Sequence, residues 1–262
     1  MTKAKILLLD IETAPSKVYT WGLWDQNVGL NQIIQDEYML CWCAKWLGER
    51  KIHFDSIVNY KKEFKRDPAS DKKLAQSIWN LMDEADIVIT HNGDKFDIKW
   101  LNTLFLKHKL SPVSTFRSID TLKETRGNFR LVSYKLEYLL RRLGIGEKMK
   151  HEGFGLWTKC MAGDRGAWRV MEKYNRRDVT ELEKLYEEIK PFIKHHPNLS
   201  LYTDSNELAC PNCGSTDNRV KGYAFTSTNK FRRYKCNHCG KQYRGRQGLL
   251  SKEQRQALGS GA

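Results

Sequence analysis

No apolar run in this sequence approaches the ~20 residues that a membrane-spanning helix requires, and the first residues lack the long apolar segment of a secretory signal. Both absences predict a protein that stays in the cytoplasm where it is made, without a membrane partner. Acidic residues are scarce, with 31 Asp and Glu against 45 Lys and Arg, for a formal charge of +14. The excess is uneven: nine Lys or Arg and one acid lie between Cys210 and Arg246, a local +8. A compact basic module suits a polyanion, with nucleic acid ahead of an acidic membrane. No low-complexity tract is present, and no repeat beyond two short cysteine knuckles. Seven cysteines cannot all pair, and four of them form two Cys-x-x-Cys pairs. Without an export signal that pattern favours metal over disulfides, and Cys41, Cys43 and Cys160 read as small core residues.

What is present fits one substantial core and a small appended module: 262 residues, 40% hydrophobic and 29% charged. Apolar stretches at 6–9, 38–46 and 51–59 read as strands, with Gly48 turning the second into the third. Residues 19–30, rich in Trp and Gly, read as an insertion or long loop. Leu74, Ile78, Leu81 and Met82 keep helical spacing, and 86–90 is a short buried strand ending at His91-Asn92-Gly93. Ile98, Leu101, Leu104 and Phe105 mark a second helix, and Ser118-Ile119-Asp120 closes a fifth strand. Ser133 is placed to cap a helix that Gly144 stops. A last long helix covers 167–189 and ends before Pro191. Three hairpin-linked strands followed by crossover units predict a mixed α/β sheet with ligands at strand ends. The expected boundaries are a domain over 1–190, a linker over 191–209, a basic module over 210–246 and a flexible tail over 247–262.

Carboxylates recur where these elements end. Asp10 and Glu12 follow Ile6-Leu7-Leu8-Leu9 at a spacing of two, so on a strand both project from one face. At about 4 Å and an effective dielectric of ~20 two like charges repel by ~4 kcal/mol, so such a pair raises a pKa or binds a cation. Asp97 lies in His91-Asn92-Gly93-Asp94-Lys95-Phe96-Asp97, where a strand gives way to a helix. Asp178 lies in Tyr174-Asn175-Arg176-Arg177-Asp178, and Tyr174, four residues before it, shares its helix face. Alone, each stretch has a plain reading: an Asp opening a turn, or a core tyrosine near a surface acid.

In this order, however, the three stretches resemble the exonuclease motifs of the DEDD superfamily of 3′-to-5′ exonucleases, over roughly residues 4–190. Tyr174, with Lys173 where another branch carries His, is similar to the tyrosine branch. The resemblance implies an RNase H-like mixed five-stranded sheet flanked by helices, and phosphodiester hydrolysis with two Mg2+ or Mn2+ ions. It further implies that Asp10 bridges both ions, Glu12 and Asp178 complete the first, and Asp97 serves the second, partly through water. Tyr174 would orient the attacking water, and Asn92 resembles a second-motif asparagine that touches the terminal nucleotide, unless it only shapes the turn. The wider context, with Trp21-Gly22-Leu23-Trp24-Asp25 and the Cys-rich end, resembles exonuclease-like proteins of bacteriophages, which would make the compartment a host-cell cytoplasm.

Cys210-Pro211-Asn212-Cys213-Gly214 and Cys236-Asn237-His238-Cys239-Gly240 are knuckles able to close around one structural Zn2+, and the module resembles a zinc ribbon. So short a stretch has almost no core, so the metal should supply most of its folding energy. From Lys230 to Lys235 and from Lys241 to Arg246 cations interleave with aromatic rings, as on a nucleic-acid surface. Lys230, Arg232, Arg233 and Tyr234 are the candidate substrate contacts, the alternative being a ribbon that docks on protein. Trp21 and Trp24 are candidates for base stacking, whereas Trp42, Trp46, Trp79 and Trp100 default to core packing. His151 reads as a phosphate contact or part of a solvated loop, and Asp120 as a cap for the segment after it.

These readings converge on a metal-dependent 3′-to-5′ exonuclease acting on DNA before RNA, with proofreading only in trans. Replication or recombination proteins are the candidate partners, and the oligomeric state is left open. The rivals are an RNA-trimming exonuclease and a non-catalytic nucleic-acid-binding protein on a nuclease scaffold. Loss of any one acid would have favoured the second, and all four are present with Tyr174.

Overall fold

Ile6-Leu7-Leu8-Leu9 opens β1 (Ile6–Ala14), and all four side chains are buried, as a strand covered on both faces requires. The computed structural model describes residues 4–147, 149–202 and 206–259. Residues 5–186 form one compact unit and the described residues from Glu187 onward belong to a second. In the first, β2 (Lys17–Val18) and β3 (Ile33–Gln35) pair with each other, followed by β4 (Tyr38–Trp46) and β5 (Ile52–Ser56). Then come α1 (Lys61–Arg66), α2 (Lys72–Asp83), β6 (Ile87–Thr90), α3 (Asp97–Lys107), β7 (Arg117–Asp120), α4 (Thr121–Asn128), α5 (Leu136–Leu143) and α6 (Phe154–Met161). The long α7 (Arg165–Ile189) follows.

The main sheet runs β5-β4-β1-β6-β7. Antiparallel pairing joins β1 to β4 and β4 to β5, and parallel pairing joins β1 to β6 and β6 to β7. This is the mixed five-stranded sheet expected from three hairpin-linked strands and later crossovers. Its core is continuous because β4 buries Tyr38 through Ala44 without a break and β6 buries all four of its residues. Onto it pack Leu74, Ile78 and Met82 of α2, Leu101, Leu104 and Phe105 of α3, and Trp168, Met171 and Tyr174 of α7. Trimming one such Leu to Ala would cost about 2–5 kcal/mol.

Several local expectations are corrected. The acids lie inside β1 and not at its end: pairing with β4 continues through Asp10↔Cys43 and Glu12↔Cys41 to Ala14↔Tyr38. Apolar patterning stops at Leu9, but a backbone ladder is indifferent to polar side chains. The register shifts between Glu12 and Thr13, where Leu40 of β4 is the extra residue. Residues 19–32 remain a long excursion, now closed at its base by β2 and β3. The third strand stops at Ser56 in favour of a 3-10 turn. Neither α4 nor α6 was expected; α4 carries few apolar residues and starts because Asp120 accepts from Leu122 N and Lys123 N. Ser133 does not cap α5, which begins after Lys135, although its hydroxyl accepts from Lys135 N at 3.3 Å. Gly144, with φ of 69°, ends that helix as foreseen. Cys41, Cys43 and Cys160 are buried, Trp42 is in the core and Trp46, Trp79 and Trp100 pack partly against it. Trp21 and Trp24 are exposed, at 99% and 83%.

The second unit holds a three-stranded antiparallel sheet, β8 (Asn218–Phe225), β9 (Lys230–Cys236) and β10 (Gln242–Gly248), ordered β10-β9-β8. After it α8 (Lys252–Gln256) is closed by a Ser251–Gln254 capping box, inside the stretch read as a tail, while 260–262 lie outside the described residues. Asn212 donates to Lys190 O at 2.7 Å, tying the first cysteine knuckle to the segment before it. No helix among the described residues is long and apolar enough to cross a membrane.

Candidate active site

The buried stripe of α7 should be wholly apolar if its role were packing alone. Met171, Val179, Leu182 and Leu185 obey that rule, but Tyr174, Asn175, Asp178 and Glu181 occupy the same buried face. Opposite them β1 presents Asp10 and Glu12 from one side of the strand. One carboxylate oxygen from each of Asp10, Glu12 and Asp178 lies within 4.8 Å of the other two. Three acids so close repel one another unless a cation lies between them, and hard oxygen donors are the set that Mg2+ or Mn2+ takes. The residues therefore fit a divalent metal site.

Asp97 stands differently. It is the first residue of α3, buried, and its Oδ1 accepts from Ile11 N at 3.1 Å, the amide between the two β1 acids. Its carboxylate thus joins the cluster through the β1 backbone and is not one of the three mutually close oxygens. Burial pushes the Asp97 carboxyl up to about 7; the Ile11 amide and its own pull it down, and Asp120 pushes it up. The loop that leads into α3 is fixed from below by Asp120, whose oxygens accept from Asn92 N at 2.8 Å and Asp94 N at 3.3 Å. Asn92 takes φ of 71°, and Gly93 is required because a Cβ there would lie 2.2 Å from Thr90 Oγ1.

Burial, then the charges of Asp178, Glu12 and Asp10, and a hydrogen bond with Asp178 push the Tyr174 phenol far above its ordinary value. The shift favours the neutral phenol over the phenolate. The edges of His151 and Trp157 pack near its ring, at centroid distances of 4.8 Å and 6.2 Å. Both also line a cavity of about 410 Å3 with Thr13, Pro15, Gly153 and Phe154, so His151 belongs to a packed wall.

Sequence reasoning missed Asn175. It is fully buried, its Nδ2 donates to Asp10 Oδ2 at 2.6 Å, and its Oδ1 lies 3.9 Å from Cys41 Sγ. Only its position inside the Tyr174-to-Asp178 stretch could have signalled it, since the partner is 165 residues away.

In the second unit Cys210, Cys213, Cys236 and Cys239 bring their sulfurs within 4.8 Å of one another. The Cys210–Cys239 and Cys213–Cys236 sulfurs are 3.6 Å apart. Tetrahedral thiolates at about 2.3 Å from one ion would be spaced by ~3.8 Å, so the four fit a zinc site. The candidate substrate contacts of β9 divide between two sheet faces. Lys230 and Arg232 share a face with Tyr223, over whose ring they lie at 3.8 Å and 4.9 Å. Tyr234 is on that face too, stacked on Tyr243 at 5.8 Å. Arg233 points the other way by the strand's period of two, and its Nε donates to Lys221 O.

Comparison with known proteins bears on this geometry. The profile of the family described as RNase_H superfamily matches residues 44–190, more than half of the chain, including Asp97, Tyr174 and Asp178 but not Asp10 or Glu12. Among solved structures, the chain is similar to the family B DNA polymerase from the hyperthermophilic archaeon Pyrobaculum calidifontis, with a TM-score of 0.52 and 13% identity. The match covers 72% of this chain and 25% of the polymerase chain, and at that identity it shows the fold. A search of curated proteins found no match.

Proposed function

The chain belongs to the RNase_H superfamily, and from that premise we propose that it is a 3′-to-5′ exonuclease of the DEDD tyrosine subclass that hydrolyses DNA. The observation that carries the reading is the meeting of Asp10, Glu12 and Asp178 within 4.8 Å, beside a tyrosine hydrogen-bonded to Asp178. Direction and subclass rest on the resemblance of the three acidic stretches and on Tyr174 standing four residues before Asp178. The similarity to bacteriophage exonucleases is part of the same reading.

Asp10, Glu12 and Asp178 would hold divalent cations, with Asp97 serving a second position from the start of α3. When bound, two such ions supply Lewis acidity, offsetting charge on the attacking and leaving oxygens of the phosphodiester. The chain's own groups do the positioning. Asn175 fixes the rotamer of Asp10 by donating to Oδ2. Tyr174, held as the phenol, hydrogen-bonds the attacking water beside Asp178 and is not its base. His151 and Trp157 limit the motion of the Tyr174 ring. In the second unit the four cysteines would hold one structural Zn2+, and the Tyr223, Lys230 and Arg232 face would bind nucleic acid through phosphate contacts and stacking.

A time course on a 5′-labelled single-stranded DNA oligomer with Mg2+, wild type beside Asp178→Asn, tests the proposal. A ladder shortening from the 3′ end, absent in the variant, is expected. Internal cuts, or equal degradation by both proteins, would overturn it. A matched RNA oligomer run in parallel decides the sugar.

A further inference from the structure

Arg176 is two residues from both Tyr174 and Asp178, hence about 160° around α7 from each. On that far side the first unit has a cavity of about 530 Å3, within the size range of small-molecule sites. Its lining carries four cations, Lys61, Arg165, Arg169 and Arg176, against one acid, Glu172. The acid is already engaged: Arg176 Nε donates to Glu172 Oε1 at 2.8 Å, while its Nη1 donates to Ile52 O and its guanidinium lies over the Phe54 ring. That pair forms a neutral wall. Among the described residues Lys61, Arg165 and Arg169, all three exposed, form no ion pair, so three positive side chains border one concavity without a paired counter-charge.

The cavity also has an aromatic side. Phe64, half-buried, lies against Gly163, where φ is 81° and a Cβ would come within 3.1 Å of the ring. Gly163 thereby leaves room for the ring to line the cavity. Arg165 and Arg169 are one turn apart on α7, a spacing of about 6 Å that suits two guanidinium groups closing on one phosphate. A cationic rim beside an aromatic wall of Phe64, Phe54 and Trp168 matches an anionic group attached to a planar one.

We propose that this cavity binds a nucleoside phosphate, either free or as one unit of a strand, at a place separate from the acidic cluster. The proposal does not rest on the exonuclease reading, because it uses none of the acids, and its test reads no hydrolysis.

The test measures binding to the full zinc-loaded chain in buffer free of Mg2+ and Mn2+. The probes are dAMP, inorganic phosphate and a short single-stranded DNA oligomer. Three proteins are compared: wild type, Arg165→Glu/Arg169→Glu, and a control of equal charge, Arg141→Glu/Arg142→Glu, whose sites are exposed on α5. Binding of dAMP that weakens about tenfold or more in the first variant only supports a free nucleotide. Binding of the oligomer alone, weakened in that variant only, supports a strand. Phe64→Ala should weaken dAMP or oligomer binding by about fivefold or more without changing the far-ultraviolet spectrum. Equal affinity for dAMP and inorganic phosphate, equal losses in variant and control, or no binding of either nucleotide probe would overturn the proposal.

Discussion

Replacing Asp178 by Asn should make the protein more stable and inactive at once. The acid is 4% exposed and lies within 4.8 Å of oxygens from Asp10 and Glu12. At that separation and an effective dielectric of ~20, each pair of full charges repels by about 3.5 kcal/mol. Side-chain relaxation and solvent screening offset much of this in the metal-free protein, leaving about 1–3 kcal/mol to be gained when the charge is removed. Asn keeps the shape and an acceptor oxygen for Tyr174. The assay is thermal unfolding in buffer dialysed free of Mg2+ and Mn2+, with zinc retained, repeated with added Mn2+. The metal-free variant should melt about 3–10 °C above wild type. Added Mn2+ should raise the wild-type midpoint strongly and the variant's much less, because cation binding to the folded state requires the full acid set. A variant that melts at or below wild type without metal, and gains as much from Mn2+, would refute the reasoning.

Three further outcomes are expected. Asn175→Ala should lose about 1.5–3 kcal/mol from the hydrogen bond to Asp10, read as a rate lower by about 10- to 150-fold and a higher Mg2+ requirement in the oligomer assay. Cys213→Ser, or zinc stripping, should abolish protease resistance of β8, β9 and β10, since zinc ligation is worth on the order of 10 kcal/mol to so small a module. Burial, and the charges of Lys190 and Lys241, hold His196 down to about 4, against an opposing hydrogen bond to the Pro197 carbonyl. The unfolded chain takes up that proton near pH 6.5, so it binds more protons than the folded state between roughly 6.5 and 4. Stability should therefore fall as pH drops through this window, and less steeply in His196→Gln when denaturant midpoints are compared.

How legible was this in the sequence? The pairs Asp10 with Glu12 and Tyr174 with Asp178 were, because strand and helix periods decide which side chains share a face, whereas joining the two pairs in one site rested on the resemblance of the three acidic stretches. The mixed character of the sheet followed from strands arriving first as hairpins and later with helices between them, but not their order in it. Asn175 was not, because an asparagine inside a helix gains meaning only from a partner 165 residues away. Helices α4 and α6 escaped for a different reason. Asp120 starts α4 by capping, and tertiary packing around Leu156 and Cys160 holds α6, so neither announces itself by an apolar stripe. Arg232 and Arg233 show composition misleading where periodicity would have served: adjacent cations in one basic stretch belong to opposite faces of β9.

The bare indoles of the β2–β3 excursion change what optical spectroscopy will report. Trp21 and Trp24, 99% and 83% exposed, emit at long wavelength in the native protein, while Trp42 and Trp168 are nearly enclosed. Of eight tryptophans, these two will barely respond to denaturation, so a red shift in total emission understates unfolding. Acrylamide reaches them first. A quenching curve on the native protein should resolve two populations, and shielding of the accessible one would announce that something has settled on the excursion.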